Sequence, residues 1–307
     1  MAVIDTEGFS KVAVIIPCRN EELTVAQVIN DTREAIPGCQ IWVYDNNSTD
    51  ETAKNASEAG AFLKFESDIG KGNVIRRALA EIKAESYVII DGDGTYDPSE
   101  APILLKTLLE EDLDMVVGCR SGAINRSGHR LGNAVFNRLY RWLFGEGFND
   151  IFSGFRVLSR RFVVSFPSSS KGFEIETEIS VHASQLRLPV SEVEVSYRDR
   201  PVGSESKLRT GTDGWQILRT MFKLLKENRP LFLYNTLALG TFVLAASLGI
   251  PVIVDFSQTG VVERLPTAVL SSALIVLSLI QSAIGLILDT VARSRIEMKR
   301  LVYLGAN

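Results

Sequence analysis

The chain has 307 residues, 46% of them hydrophobic, and a formal net charge of −4. That length holds one large or two modest domains, and the acidic balance excludes a general nucleic-acid binder. Three scattered cysteines, Cys18, Cys39 and Cys119, fit a reducing compartment, and two histidines far apart in sequence, His129 and His182, give no zinc signature.

At the N-terminus, Asp5 and Glu7 interrupt any early apolar run, so no signal peptide is expected. From residue 10 to 195, short apolar runs alternate with helical patterns. Strands are expected at 12–16, 41–44, 61–65, 87–90 and 115–118, and helices near 22–35, 50–59, 71–83 and 99–110. Ser48-Thr49-Asp50-Glu51 has the spacing of a capping box, and Asp97-Pro98-Ser99-Glu100 opens a helix with an early proline. Such alternation predicts an α/β fold, a mostly parallel sheet with helices on both faces.

Polar residues gather where the strands end. The first strand runs into Pro17-Cys18-Arg19-Asn20-Glu21-Glu22, the second into Asp45-Asn46-Asn47-Ser48-Thr49-Asp50, and the fourth into Asp91-Gly92-Asp93. Parallel strands put all three clusters on one sheet edge, where α/β folds bind ligands. Two carboxylates separated by one glycine suit a hard divalent cation, Mg²⁺ or Mn²⁺. Each cluster alone also reads as a solvated turn.

Residues 119–141 are rich in arginine, with Arg120, Arg126, Arg130, Arg138 and Arg141. Arginine forks match phosphate oxygens, while a basic surface helix near anionic lipid is the competing reading. Around 215–228, Trp215, Leu218, Phe222 and Leu225 recur at helical spacing with basic residues on other faces, predicting an interfacial amphipathic helix. No charge interrupts the stretch between Arg229 and Asp255 or that between Arg264 and Asp289. Each is long enough to span a bilayer, so a transmembrane hairpin is expected. Basic residues flank it on both sides: Lys223, Lys226 and Arg229 before, Arg293, Arg295, Lys299 and Arg300 after. The positive-inside rule then places both ends, and the large domain, in the cytoplasm of an inner or plasma membrane. The expected layout is a globular domain over 1–210, an interfacial helix over 211–229, a hairpin over 230–292 and a basic tail over 293–307. Gln281 with Ser278, Ser282 and Gly285 would support helix packing compatible with a homo-oligomer.

The motifs together resemble the family 2 glycosyltransferases of GT-A fold. Val14-Ile15-Ile16-Pro17 followed by Asn20-Glu21 resembles the family's opening strand and loop. Tyr44-Asp45-Asn46-Asn47-Ser48-Thr49-Asp50 resembles its Asp-Asp-x-Ser-x-Asp signature, with Tyr44 in place of the first acid. Gly70-Lys71-Gly72-Asn73, Asn149-Asp150-Ile151-Phe152-Ser153-Gly154-Phe155-Arg156 and Lys171-Gly172-Phe173-Glu174-Ile175-Glu176 resemble further family segments. Combined with the hairpin, the chain resembles the polyprenyl-phosphate branch.

The resemblance implies a nucleotide site at Pro17, Asn20, Glu21, Asp45, Asn47, Lys71, Asp91, Gly92 and Asp93, with Asp91 and Asp93 holding the metal. It nominates Asp150, with Asp91 and Asp93, as catalytic. An acceptor phosphate would meet Arg120, Arg130 and Arg138. The diphosphate and sugar would meet Glu174, Arg200, Ser206 and Lys207, with Glu176 a further sugar partner. A phosphate acceptor is already anionic, so Asp150 would orient the sugar or organise an arginine as readily as act as a base. The implied reaction is transfer of one sugar from a nucleotide-diphosphate sugar to a polyprenyl phosphate, with inversion. Transfer to another lipid or growing glycan, or a non-catalytic nucleotide-sugar-binding role, are the alternatives.

Overall fold

The computed structural model describes residues 11–121, 138, 140–142, 148–168, 170–172, 174–201, 219, 222–223, 225–227 and 229–306. They fall into two compact units, a globular one that includes residues 299–306 and a second one up to Met298.

In the globular unit the elements run β1 (Val12–Cys18), α1 (Val25–Ala35), β2 (Gln40–Asp45), α2 (Thr52–Glu58), β3 (Phe62–Phe65), α3 (Lys71–Glu81), β4 (Ser86–Ile89) and α4 (Ala101–Glu110). Then follow β5 (Met115–Ser121), β6 (Arg156–Ser159), α5 (Arg160–Ser165), α6 (Ile175–Leu186) and β7 (Val190–Ser196). The seven strands are ordered β3-β2-β1-β4-β6-β5-β7. Only β6 is antiparallel to its neighbours. The chain leaves β1 toward β2 on one side and β4 on the other, the switch point where α/β sheets open a crevice.

Strand alternation explains the two-sided core. Val12, Val14 and Ile16 join Val25, Val28 and Ile29 of α1 and Leu104, Leu105 and Leu108 of α4 in one cluster. Ala13 and Ile15, on the opposite face, are also fully buried, and α3 packs against β1 and α6. Each such Ile or Leu contributes about 1.5–3 kcal/mol by leaving water. The five expected strands and four expected helices are present, and the sheet is mostly parallel as expected. β6 and β7 extend it. β6 is four residues long and begins with an arginine, so no apolar run announces it. β7, Val-Ser-Glu-Val-Glu-Val-Ser, does alternate with a period of two, a readable strand signal.

The second unit centres on α7 (Pro230–Thr259) and α8 (Leu265–Leu304). Proline at the first turn starts α7, and Gly260 at φ +71° ends it. Seven-residue spacing runs through the buried residues, Ala238, Ala245 and Val252 on α7, where Gly249 and Pro230 are buried as well, and Ser271, Ser278, Gly285 and Ala292 on α8. Small side chains let the antiparallel backbones approach. A Cβ on Gly249 would lie 2.3 Å from Ser271 Oγ, and one on Gly285 would lie 2.9 Å from Tyr234 Cβ. Ser271 Oγ donates to the Ala245 carbonyl at 3.0 Å. Only 17% of the apolar window of each helix is buried, the reverse of a soluble core helix. This exposed apolar surface supports membrane association.

The stretch expected as a basic tail continues α8 to Leu304, and its end groups with the globular unit. There Tyr303 OH donates to Asp114 Oδ2 at 2.7 Å and Lys299 Nζ to Gln185 Oε1 at 2.9 Å. Within 211–229, residues 219, 222–223 and 225–227 are helical and Arg229 is the non-helical residue before α7; the rest of the expected amphipathic helix lies outside the described residues.

Candidate active site

The site lies at the carboxyl ends of β1, β2, β4 and β5. The loops after β1 and β2 lock together by hydrogen bonds, from neutral side chains and from the carboxylates of Glu22 and Asp50, which accept from Glu51 N at 3.0 Å and Glu22 N at 3.2 Å. Asn20 N donates to Ser48 Oγ at 2.9 Å, Thr49 N to Asn20 Oδ1 at 2.8 Å, and Glu21 N to Thr52 Oγ1 at 2.8 Å. Asn20 and Asn47 sit at φ +53° and +64°, left-handed positions that asparagine tolerates. Asp45 is buried beside them. Its Oδ2 accepts from Ser48 N at 3.2 Å, while Oδ1 is buried with no hydrogen-bond partner among the described residues. Asn46 ties in the next loop: Oδ1 accepts from Gly70 N at 2.7 Å, and Nδ2 donates to the carbonyls of Glu66 and Asp68 at 2.9 and 2.8 Å.

Asp91 and Asp93 follow β4. The Thr24 hydroxyl donates to Gly92 O at 2.7 Å, and a Cβ on Gly92 would meet Cys18 Sγ at 2.4 Å, so the turn needs glycine. Asp93 Oδ1 accepts from Thr95 N and Oγ1 at 3.1 and 2.6 Å. Its Oδ2 pairs with Arg200 Nη2 at 2.6 Å, and Arg200 Nη1 lies 3.8 Å from Glu21 Oε1. Arg200 reaches Asp93 because the chain after β7 is tied down. Tyr197 bridges Tyr96 in antiparallel fashion, Arg198 N donates to Thr95 O at 2.8 Å, and Arg198 pairs with Asp97.

Asp91 Oδ1 pairs with Lys71 Nζ at 2.5 Å, and Lys71 also pairs with Glu176 Oε1 at 2.7 Å. Burial alone would lower the Lys71 pKa, but Asp91 and Glu176 outweigh it and hold the ammonium above its usual range. Burial pushes the Glu176 carboxyl up, only partly offset by Lys71, because one ammonium cannot neutralise two carboxylates. Gly154 makes room for the group: a Cβ there would fall 2.3 Å from Asp91 Oδ2.

Near the end of β5, Arg120 clamps Asp150 with both prongs, Nε to Oδ2 at 2.7 Å and Nη2 to Oδ1 at 2.8 Å. Phe152 N adds a bond to Oδ1 at 3.3 Å. Burial alone would raise the Asp150 pKa, but the hydrogen bonds and charge of Arg120 prevail and hold it below the ordinary carboxylate range. The Arg120 guanidinium lies 5.3 Å from the Tyr197 ring centroid. The loop is braced from beneath. Gly154 N donates to Tyr96 OH at 3.0 Å, and fully buried Arg156 donates to the carbonyls of Ser153 and Ile151, both at 2.9 Å, and to Ser180 Oγ at 2.9 Å. Arg156 thus shapes the turn that carries Asp150.

Of the residues expected in the site, Glu21, Lys71, Asp91, Asp93 and Arg200 form one charged group with Gly92 at its turn, and Arg120 and Asp150 a second. Pro17, Asn20, Asp45 and Asn47 line the β1 and β2 ends. Glu174 Oε1 accepts locally from Lys171 N at 3.3 Å, whereas Glu176 reaches Lys71. Arg138 is helical and exposed. Arg130, Ser206 and Lys207 lie outside the described residues. Residue-by-residue reading passed over Thr24, Asn46, Thr95, Tyr96 and Tyr197. Thr95 had a signal: Asp50-x-Thr52, Asp93-x-Thr95 and Asp97-x-Ser99 all fold as Asx turns.

The donor set fits a divalent cation. Hard carboxylate oxygens stand at the β4 end, and each aspartate already holds a cationic side chain. No group of three or more metal-binding side chains gathers among the described residues.

Comparison with known proteins agrees with this geometry. Residues 13–164 match Glycosyl transferase family 2. The glycosyltransferase AglJ of Haloferax volcanii is 32% identical over 297 residues, spanning 94% of this chain and 97% of the relative. The chain belongs to glycosyltransferase family 2. Another family relative, a dolichyl-phosphate hexose transferase of Haloferax volcanii, is 26% identical over 224 residues, 72% of this chain and 96% of that protein. Glucosyl-3-phosphoglycerate synthase of Mycobacterium tuberculosis, crystallised with Mn²⁺, UDP-glucose and phosphoglyceric acid, superposes with a TM-score of 0.58 at 23% identity. That match covers 72% of this glycosyltransferase and 81% of the synthase. The GT-A fold expected from the sequence is therefore present.

Proposed function

We propose that this glycosyltransferase moves one sugar from a nucleotide-diphosphate sugar to a polyprenyl phosphate at the membrane surface, inverting the anomeric centre. The observation that carries the reading is the Arg120 fork at the same sheet edge as Asp91 and Asp93, in a chain with two exposed apolar helices.

The unpartnered Asp45 Oδ1, beside Asn20 and Asn47, would accept from the donor's base or ribose. Asp91 and Asp93 would hold Mg²⁺ or Mn²⁺, which when bound neutralises charge on the departing diphosphate. Arg200 and Lys71, displaced from these carboxylates, would add positive charge to the same diphosphate. Arg120 would grip the acceptor phosphate. A phosphate oxygen would then form the new bond to the anomeric carbon as the bond to the diphosphate breaks and its electron pair leaves with the nucleotide. That nucleophile has no proton to lose, and both Asp150 oxygens are engaged. Asp150 therefore acts as a positioning residue for Arg120. The basic flanks of the hairpin would keep the globular unit on the cytoplasmic side.

The test uses purified full-length protein, Mg²⁺ or Mn²⁺, a panel of labelled nucleotide sugars and undecaprenyl phosphate, with 3-phosphoglycerate as the water-soluble competitor. Label should enter the organic phase. Transfer only to the water-soluble acceptor would overturn the lipid assignment.

A further inference from the structure

Lys71 stands between two carboxylates of different character. Asp91 is at the rim with its side chain 25% exposed, while Glu176 is 7% exposed. Glu176 Oε2 is buried with no hydrogen-bond partner among the described residues. Such a group costs free energy, and Asp91 alone would suffice as a counter-ion for Lys71. The backbone fixes Glu176 beside Lys71: Gly72 N donates to Gly172 O at 3.1 Å and Asn73 N to Lys171 O at 3.2 Å. Gly70 and Gly72 allow this approach, since a Cβ on either would meet the carbonyl oxygen of Lys171 or Ser170 at 2.1 or 2.4 Å. Glu176 is thus the partner Lys71 cannot leave, and Asp91 the partner that a metal can take.

We propose that Glu176 is a positioning residue for Lys71: it retains the ammonium in the site when a divalent cation takes Asp91, and so weakens the competition of Lys71 for that carboxylate. The inference rests on the reading of Asp91 and Asp93 as metal ligands. Metal loading at Asp91 then becomes an exchange of cations. Lys71 stays behind on Glu176 as a second positive charge for the donor diphosphate.

The probe is Mn²⁺ alone, its binding to the full-length protein followed by electron paramagnetic resonance. Lys71→Met should tighten Mn²⁺ roughly tenfold, and Glu176→Gln should weaken it roughly tenfold. In the Lys71→Met background, Glu176→Gln should change the affinity by less than about threefold, because Glu176 acts through Lys71. An equal effect in both backgrounds would mean simple through-space charge and would overturn the inference. So would unchanged Mn²⁺ binding accompanied by altered sugar selectivity, which would make Glu176 a sugar contact. If Lys71→Met does not fold, Glu176→Asp decides. A shorter carboxylate keeps the charge, so a through-space effect predicts wild-type affinity and positioning predicts weaker binding. Absence of Mn²⁺ binding in the wild-type chain would overturn the metal reading and this inference with it. Normal wild-type binding with unaffected variants would overturn the inference alone.

Discussion

The two sides of the sheet edge are built by different forces. On the β1–β2 side hydrogen bonds close the loops, from the neutral Asn20, Asn46, Ser48, Thr49 and Thr52 and from the carboxylates of Glu22, Asp45 and Asp50, most of them to backbone groups. On the β4–β5 side ion pairs add to such hydrogen bonds: Lys71 with Asp91 and Glu176, Arg200 with Asp93, Arg120 with Asp150. A loop closed by short hydrogen bonds to its own backbone is held in one shape. A paired carboxylate must exchange its partner before it binds anything else, so on the proposed function this side would answer to cations and anionic substrates. The difference is a division between a half held by hydrogen bonds and a half whose ion pairs the proposed ligands would redistribute.

Four measurements would break or sharpen that division. Asp93→Asn removes the charge that holds Arg200 and should lower sugar transfer about thousandfold while leaving the circular-dichroism melt nearly unchanged. A loss under tenfold would mean that the charged half is not central. Arg120→Lys replaces a bidentate fork with a point charge. The KM for polyprenyl phosphate should rise roughly a hundredfold, with the KM for donor little changed. Asn46→Ala, on the β1–β2 side, strips partners from Gly70 N and the carbonyls of Glu66 and Asp68. It should lower the unfolding free energy of the globular unit by about 2 kcal/mol in urea titration, independently of Mg²⁺.

The smallest effect concerns pH. The Asp150 carboxyl is held below its ordinary value of 3.8 by Arg120. A depressed carboxylate contributes stability that is present above that value and lost as pH falls through the lower folded one. Between pH 8 and pH 5.5 transfer should therefore change by less than about twofold on account of Asp150. A limb near pH 6 that vanishes in Asp150→Asn would restore Asp150 as a base.

Much of this was legible in the chain. Alternating apolar runs gave the first five strands and the four helices between them, because burial on both faces demands that pattern. Asp91-Gly92-Asp93 could be placed at a strand end for the same reason. Arg156 was legible only in part. In sequence it ends the Asn149–Arg156 segment, where a site role and the shaping of a tight turn are both open, and only the fold reveals it fully buried and spent on the carbonyls of Ile151 and Ser153. Tyr197 gave no signal, since its place beneath Arg120 depends on a bridge to Tyr96, 101 residues earlier.

By itself the sequence determined the sheet with its polar edge and the two long apolar helices, because both follow from local periodicity and composition. Tertiary structure alone decided which cation sits on which carboxylate. Lys71 reaches Asp91 and Glu176, and Arg200 reaches Asp93, across separations of 20 to 107 residues. Coulomb attraction depends on distance in space, and chain order does not record it. That pairing gives each carboxylate of the Asp91–Asp93 motif a cationic partner, so that the metal binding proposed there would be an exchange.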